Sequence, residues 1–267
     1  MKLELYQIDA FTNRLFGGNP ACVVPLQEWL PDNLLFQITR ENAVAETAFF
    51  IVQEDHIDLR WFTPEIEMDL CGHATLASAH VLTTILNYGK DTLRFQTLSG
   101  ELIVQVKDGF YTLDFPARKP VNSTLPQEIS EALNIQPLEV LRSRDYVLVF
   151  ENEQQIRDLH INRHAFDRIN LDTGGVIVTS AGESCDFVSR FFTPQAQILE
   201  DPVTGSAHCS LIPFWSERLN KKELHAMQIS ERTGNLFCVN AGERVLIRGE
   251  AITYSSGTIW LEETKIK

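Results

Sequence analysis

Three clusters in this sequence combine residue types at spacings that could do chemistry. The first centres on Glu46, an acid placed where an apolar strand begins, in Glu46-Thr47-Ala48-Phe49-Phe50. An apolar setting raises a carboxyl group toward use as a general base. The same spacing also fits an acid that merely caps or pairs at a strand end. The second cluster is Cys71-Gly72-His73, which opens an apolar helical stretch. Free backbone N–H groups and the positive end of the dipole at such a helix start suit a substrate carboxylate or a developing oxyanion. The third is Asp201-Pro202-Val203-Thr204-Gly205-Ser206-Ala207-His208, which sets a carboxylate, two hydroxyls and an imidazole on one turn.

The same residues admit competing chemistries. Cys71 at a helix start is open to a reading as a thiol nucleophile, because helix starts lower thiol pKa values. Cys71, His73, His208 and Cys209 include good zinc ligands, but Cys-x-His and an adjacent His-Cys pair do not easily point four ligands inward, so no metal site is expected. Gly17-Gly18-Asn19 lacks the lysine and spacing of a phosphate loop and reads as a turn. His80, on an apolar helix, reads as a hydrogen-bonded core histidine, and His56, His160, His164 and His225 lie in polar, surface-like contexts.

The elements that must position these clusters occur twice. Arg60-Trp61-Phe62-Thr63-Pro64 is echoed by Arg190-Phe191-Phe192-Thr193-Pro194. Cys71-Gly72-His73-Ala74 is echoed by Thr204-Gly205-Ser206-Ala207, and Leu98-Ser99-Gly100-Glu101-Leu102 by Arg232-Thr233-Gly234-Asn235-Leu236. Three landmarks in the same order point to internal duplication. Alternating or β-branched runs predict strands through both halves, including Thr47 to Val52, Asp58 to Phe62, Val176 to Thr179, Phe187 to Phe192 and Met227 to Ser230, with two short strands at Ile252 to Tyr254 and Thr258 to Leu261. An amphipathic helix is expected near Asp32 to Asn42, with Leu34, Leu35 and Ile38 on one face. The stretches Gly72 to Leu86 and Gly205 to Leu219 lack a polar face, so each is expected to be a core helix around which a sheet wraps. This gives an α+β chain of two pseudo-symmetric lobes, residues 1–118 and 119–267, divided in the proline-punctuated stretch Pro116 to Pro126; the last strand is allowed to return to the first lobe. Equivalent helix starts then face a shared cleft, where the active site is expected.

Composition narrows the partners. With 23 Lys+Arg against 36 Asp+Glu, the net charge of −13 disfavours nucleic acid, which is gripped through neutralised phosphates. No uninterrupted apolar stretch suggests a membrane span, and the five cysteines are scattered rather than paired as in a secreted scaffold. A cytoplasmic location and a small-molecule substrate are the expectations.

Asp9-Ala10-Phe11, Gly18-Asn19-Pro20, Glu46-Thr47-Ala48-Phe49, Phe62-Thr63-Pro64, Cys71-Gly72-His73-Ala74-Thr75 and the Asp201 to His208 run together resemble the PhzF-like isomerase family, over nearly the whole chain. The resemblance implies the diaminopimelate epimerase-like fold, in which each of two similar lobes wraps a mixed sheet around a central helix. It implies that Glu46 shuttles a proton between carbons of a small carboxylate-bearing substrate, without metal or organic cofactor. It also implies that His73, Asp201 and Ser206 surround the substrate, that Gly72, Gly205, Cys71 and Asn19 line the same site, and that the protein is a homodimer. Two alternatives stay open. A racemase or epimerase could use Cys71 as a thiol base, although the duplication aligns Cys71 with Thr204, which cannot be its partner base. A non-catalytic protein could have kept the cleft to bind a small ligand.

Overall fold

The computed structural model describes residues 1–262. The chain folds as two units, one made of Met1–Asp114 and the segment from Arg248 onward, the other of Phe115–Ile247. The proline-punctuated stretch predicts one boundary, at 118/119, with a last strand free to return to the first lobe; in the structure the second unit begins at Phe115 and the chain re-enters the first at Arg248, and residues 263–267 lie outside the described residues.

In the first unit, β1 (Lys2–Ala10) pairs antiparallel with β2 (Asn19–Leu26). After α1 (Asp32–Asn42) the chain forms β3 (Glu46–Val52), parallel to β2, then β4 (Ile57–Phe62), antiparallel to β3, with the short β5 (Glu67–Met68) on its edge. Helix α2 (Gly72–His80) passes into a π-helical turn at Val81–Ile85. The strands β6 (Thr92–Thr97), β7 (Gly100–Lys107) and β8 (Phe110–Pro116) follow, β6 parallel to β4 and the others antiparallel in sequence. The chain's last strand, Ala251–Trp260, returns to pair antiparallel with β1.

The central strands are apolar on both faces because both are covered. Val24, Leu26, Phe49 and Ile51 join Leu34, Leu35 and Ile38 of α1 in one cluster. Their neighbours Val23, Ala48 and Phe50, on the opposite face of the pleat, are also buried, and α2 packs against β1, β2 and β3. Every residue of α2 is buried, as expected for a helix without a polar face. Its histidine at the far end, His80, bonds through Nδ1 to the Tyr111 hydroxyl at 3.0 Å and through Nε2 to Thr253 Oγ1 at 2.9 Å, so it is a hydrogen-bonded core residue.

The second unit repeats the plan. It contains β9 (Val121–Asn122), α3 (Gln127–Ala132), β10 (Glu139–Arg142), β11 (Tyr146–Val149), α4 (Glu153–Arg157), α5 (Arg163–Phe166), β12 (Val176–Ala181), β13 (Phe187–Phe192), β14 (Glu200–Asp201), α6 (Gly205–Leu219), β15 (Glu223–Gln228), β16 (Gly234–Asn240) and β17 (Arg244–Gly249), which runs to the boundary; the last strand becomes β18. Pairing runs antiparallel from β10 to β11, parallel to β12, antiparallel to β13, parallel to β15 and antiparallel to β16. That is the order of β1, β2, β3, β4, β6 and β7. The register matches as well: Cys22, Thr47 and Phe62 lie abreast in one unit, and Tyr146, Val176 and Phe192 in the other.

The duplication reaches the side chains. Arg60 Nε lies 2.7 Å from Glu67 Oε1 and stacks over Phe62, while Arg190 Nε lies 2.7 Å from Glu200 Oε1 and stacks over Phe192. In each unit the guanidinium is a two-pronged staple from the fourth central strand to the short edge strand before the core helix. Helix α6 tolerates Pro213 because the Cys209 carbonyl, which would take the N–H missing from proline, accepts one from Arg118 at 2.9 Å instead.

Several boundaries differ from the sequence reading. Strand β15 ends at Gln228, where Met227 to Ser230 was expected, and β18 is one continuous strand rather than two. Helix α2 leaves α geometry after His80, and α3, α4 and α5 were not foreseen. Among the described residues no helix is long and apolar enough to cross a membrane.

Candidate active site

In the first unit, the short segment between α1 and β3 delivers Glu46. Helix α1 ends with Ala43 in the left-handed conformation, at φ 54°, and β3 starts three residues later with Glu46 itself. Asn42, at the end of α1, bonds Thr47 Oγ1 at 3.0 Å and so ties the helix end to the strand. Cys71 is the residue before α2, and His73 is its second residue. No side chain caps this helix start. Its first N–H groups therefore keep the positive character that favours an anion.

These elements bring Glu46, His73 and Cys71 together. His73 Nε2 stands 3.1 Å from Glu46 Oε2, and its Nδ1 stands 3.6 Å from Cys71 Sγ. The imidazole therefore has a carboxylate on one side and a sulfur on the other. Glu46 Oε2 and His73 Nε2 are out of line for a full hydrogen bond despite their separation, so the contact is that of a close charge pair. The side chain of His73 is 5% exposed and that of Glu46 is 15% exposed, which makes the carboxylate the accessible member. Burial alone would push the His73 imidazole down, but the Cys71 sulfur and the Glu46 carboxylate outweigh it and hold the ring well above the usual histidine range. Burial pushes the Cys71 thiol up, reinforced by Glu46 and opposed by His73.

Ligating atoms of Glu46, Cys71 and His73 lie within 4.8 Å of one another, and they are the one such His/Cys/acid group among the described residues. Glu46 and Cys71 nevertheless approach different nitrogens of the same ring. The contacts of the imidazole are therefore a charge pair on one side and a thiol contact on the other.

Asn19, also in the first unit, is the first residue of β2 and is buried. It is preceded by Gly18 at φ +60°, where an added Cβ would lie 2.0 Å from the Ala10 carbonyl oxygen. Only glycine fits that turn.

The second unit assembles a different set. The Thr204 hydroxyl donates to Asp201 Oδ2, and the buried Gln228 holds the loop by accepting from the Thr204 N–H at 2.8 Å and donating to the Asp201 carbonyl at 2.7 Å. Ser230 adds a bond to the Pro202 carbonyl at 2.7 Å. Gly205 and Ser206 open α6, again with no side-chain cap. Arg144, ion-paired at 3.0 Å with the fully buried Asp145, donates to Ser206 Oγ at 3.0 Å. Ser206 can then donate its own hydrogen to another group. His208 donates from Nδ1 to the Thr204 carbonyl at 2.8 Å, and desolvation pushes it down to about 4.

Sequence reasoning missed Gln228 and Arg144. A signal existed for Gln228: it falls in the inward register of β15, with Leu224 and Ala226. Arg144 was marked only by an Arg-Asp pair placed just before a strand. The shared register also shows what the second unit lacks. Gly175 precedes Val176 as Glu46 precedes Thr47, and Thr204 stands where Cys71 does. A side chain at Gly175 would meet Phe191 Cζ at 2.4 Å, so that position has no room for an acid.

The phenazine biosynthesis-like protein family, PhzC-PhzF, matches residues 8–257 of the chain. A Pseudomonas aeruginosa protein named as an uncharacterized isomerase is 47% identical over 262 residues, spanning 98% of this chain and 100% of the relative. The crystal structure of a PhzF-family protein from Enterococcus faecalis superposes with a TM-score of 0.93 at 42% identity, covering 98% of this chain and 100% of that one. A hydroxyproline epimerase from Agrobacterium vitis, 10% identical with a TM-score of 0.63 over 99% of this chain and 94% of its own, shares the fold. That fold is the epimerase-like one implied by the resemblance, and it agrees with the two sheet-wrapped helices expected from the duplication. The chain belongs to the PhzF-like isomerase family.

Proposed function

We propose that this isomerase works without a cofactor, moving a proton between carbons of a small carboxylate-bearing substrate with Glu46 as the acid and base. The observation that carries the reading is the pairing of Glu46 with a buried His73 at 3.1 Å, the acid alone retaining access to solvent. The imidazolium form of His73, favoured against its burial by the Glu46 carboxylate beside it, offsets negative charge that develops on the substrate. In the forward step Glu46 takes a proton from carbon, and the electron pair is delocalised into the substrate. Glu46 then returns the proton to a second carbon, which shifts the double bond with no net change in oxidation state. Within the second unit, Ser206 and the uncapped start of α6, supported by Arg144, offer donors that suit a carboxylate, and Asp201 offers an acceptor for a polar substituent.

The asymmetry of the duplication favours one base over two. A racemase that removes a proton on one face and returns it on the other needs a second acid, but the second unit has Gly175 and Thr204 in the positions of Glu46 and Cys71. Burial of the Cys71 thiol also disfavours the thiolate. Replacement Glu46→Gln keeps the size and removes the base. Turnover should fall by about 10³-fold or more while melting temperature and ligand affinity are kept. Near-normal turnover in that variant would refute the assignment.

A further inference from the structure

Glu46, His73 and Cys71 carry the three donor types that zinc takes: a carboxylate oxygen, an imidazole nitrogen and a sulfur. The Cys-x-His spacing supplies only two of them; the third comes from the start of β3. Among the described residues they are the one group of this kind in which a donor atom of each side chain lies within 4.8 Å of the others.

The spans within the group are close to those around a bound ion. Zinc bonds of about 2.0 Å to nitrogen and about 2.3 Å to sulfur, at a tetrahedral angle, hold those two donors about 3.5 Å apart. His73 Nδ1 stands 3.6 Å from Cys71 Sγ. By the same bond lengths a nitrogen and an oxygen on one ion lie about 3.3 Å apart, and His73 Nε2 stands 3.1 Å from Glu46 Oε2. Because Glu46 and Cys71 approach opposite nitrogens, one of them has to shift to share an ion. The carboxylate is free to do so, being partly exposed on a three-bond side chain. Cys71 is buried and fixed: its carbonyl accepts from the Thr75 N–H at 3.2 Å and the Thr75 hydroxyl at 2.6 Å.

Charge points the same way. A carboxylate, a thiolate and a neutral imidazole together cancel the charge of one divalent cation. Three protein ligands leave the fourth tetrahedral position to water, which has access on the Glu46 side. Hard cations gain little here, since Mg2+ and Ca2+ surround themselves with about six or more oxygens and the group offers a single carboxylate.

We propose that Glu46, His73 and Cys71 form an inhibitory site for Zn2+, in which the ion occupies the base and silences it. On binding, the Cys71 S–H bond and one imidazolium N–H bond of His73 break as the Zn–S and Zn–N bonds form, and both protons pass to solvent. The Glu46 lone pair that would take a proton from carbon is donated to the ion, and nothing is oxidised or reduced. Binding rests on the donor geometry alone; inhibition rests also on the reading of Glu46 as the base.

Titration of the full chain with Co2+, followed by absorption, tests the site. The wild type should bind one Co2+ with a thiolate-to-cobalt charge-transfer band and tetrahedral ligand-field bands, and one equivalent of Zn2+ should erase both. Cys71→Ser should remove the charge-transfer band. Glu46→Gln, a change at a partly exposed side chain, should keep the band and weaken Zn2+ binding by roughly tenfold or more. Cys185→Ser, at the half-buried cysteine outside the group, should alter neither. Deuterium incorporation from D2O into an accepted carboxylate should stop with Zn2+, resume with EDTA and ignore Mg2+. A wild type that binds no Co2+, a charge-transfer band that survives Cys71→Ser or vanishes in Cys185→Ser, or exchange that continues with the site filled would each overturn the proposal. Failure of Glu46 as the base has a separate sign, which is exchange by Glu46→Gln without metal.

Discussion

At the level of single residues, the molecule keeps its reactive groups few and its supporting groups fixed. Glu46, His73 and Cys71 were legible from their types and positions, because an acid at the start of an apolar strand and a helix opening on Cys-Gly-His are uncommon uses of those residues. Their mutual arrangement was not legible, since it depends on β3 and the start of α2 arriving at the same place. Gln228 shows the limit from the other side: a glutamine at the end of a strand reads as solvated, and only the strand register turns it inward. Because its amide spans the Thr204 N–H and the Asp201 carbonyl, Gln228→Ala should leave both without partners and release the loop. The expected cost is about 1–3 kcal/mol of stability. A denaturation midpoint equal to that of wild type would show that the loop is held by other contacts.

At the level of elements, most central strands and the three long helices could be read from periodicity, and the errors have physical causes. Ser255-Ser256-Gly257 looks like a turn, so β18 was read as two strands; continuous pairing with β1 overrides the weak local preference. Strand β15 was displaced because Ala226 and the buried Gln228 blur its alternation. Helices α3, α4 and α5 are short, six, five and four residues, and owe their existence to a shared cluster with Leu148, Val178 and Phe192 rather than to their own propensity. The repeated Arg-Glu staples were present in the echo as Arg60 and Arg190, but their partners Glu67 and Glu200 sit at different spacings downstream. The two staples should not be equivalent in energy. Arg190 also donates to the carbonyls of Ile156 and Leu159, at 3.0 and 2.9 Å, whereas Arg60 reaches outward to Asp32. Arg190→Met should therefore cost roughly 3–5 kcal/mol by stranding buried acceptors, and Arg60→Met about 1–2 kcal/mol. Urea denaturation of the two variants reads the difference, and equal losses would show that the carbonyl contacts add nothing.

At the level of the whole molecule, duplication supplied two frames, and only the first has a carboxylate at the position of Glu46, where the second has Gly175. The stability of the whole carries a signature of its buried histidines. His80 and His208 are both pushed down to about 4 by desolvation from the ordinary 6.5, so the folded state holds them neutral. Their contribution is complete above pH 6.5 and is lost as pH falls toward 4, because the unfolded chain then takes up protons that the folded chain refuses. At pH 5 the loss should be about 2 kcal/mol per histidine. His73, raised rather than lowered, acts in the opposite sense, its contribution fading as pH rises through its folded value. Denaturation at pH 7 and pH 5 should show lower stability at pH 5, with the gap narrowed in His80→Phe; equal stability at the two values would contradict the neutral assignment.

The proposed reaction turns on one carbon-bound proton that Glu46 moves. Its most direct test is solvent-deuterium incorporation, followed by proton NMR and mass spectrometry, with a panel of small unsaturated and hydroxylated carboxylates incubated in D2O. Wild type and Cys71→Ala should both place deuterium at a carbon of the accepted substrate, and Glu46→Gln should place none above the uncatalysed rate. Wild-type incorporation surviving in Glu46→Gln, or vanishing in Cys71→Ala while Glu46→Gln retains it, would contradict the account.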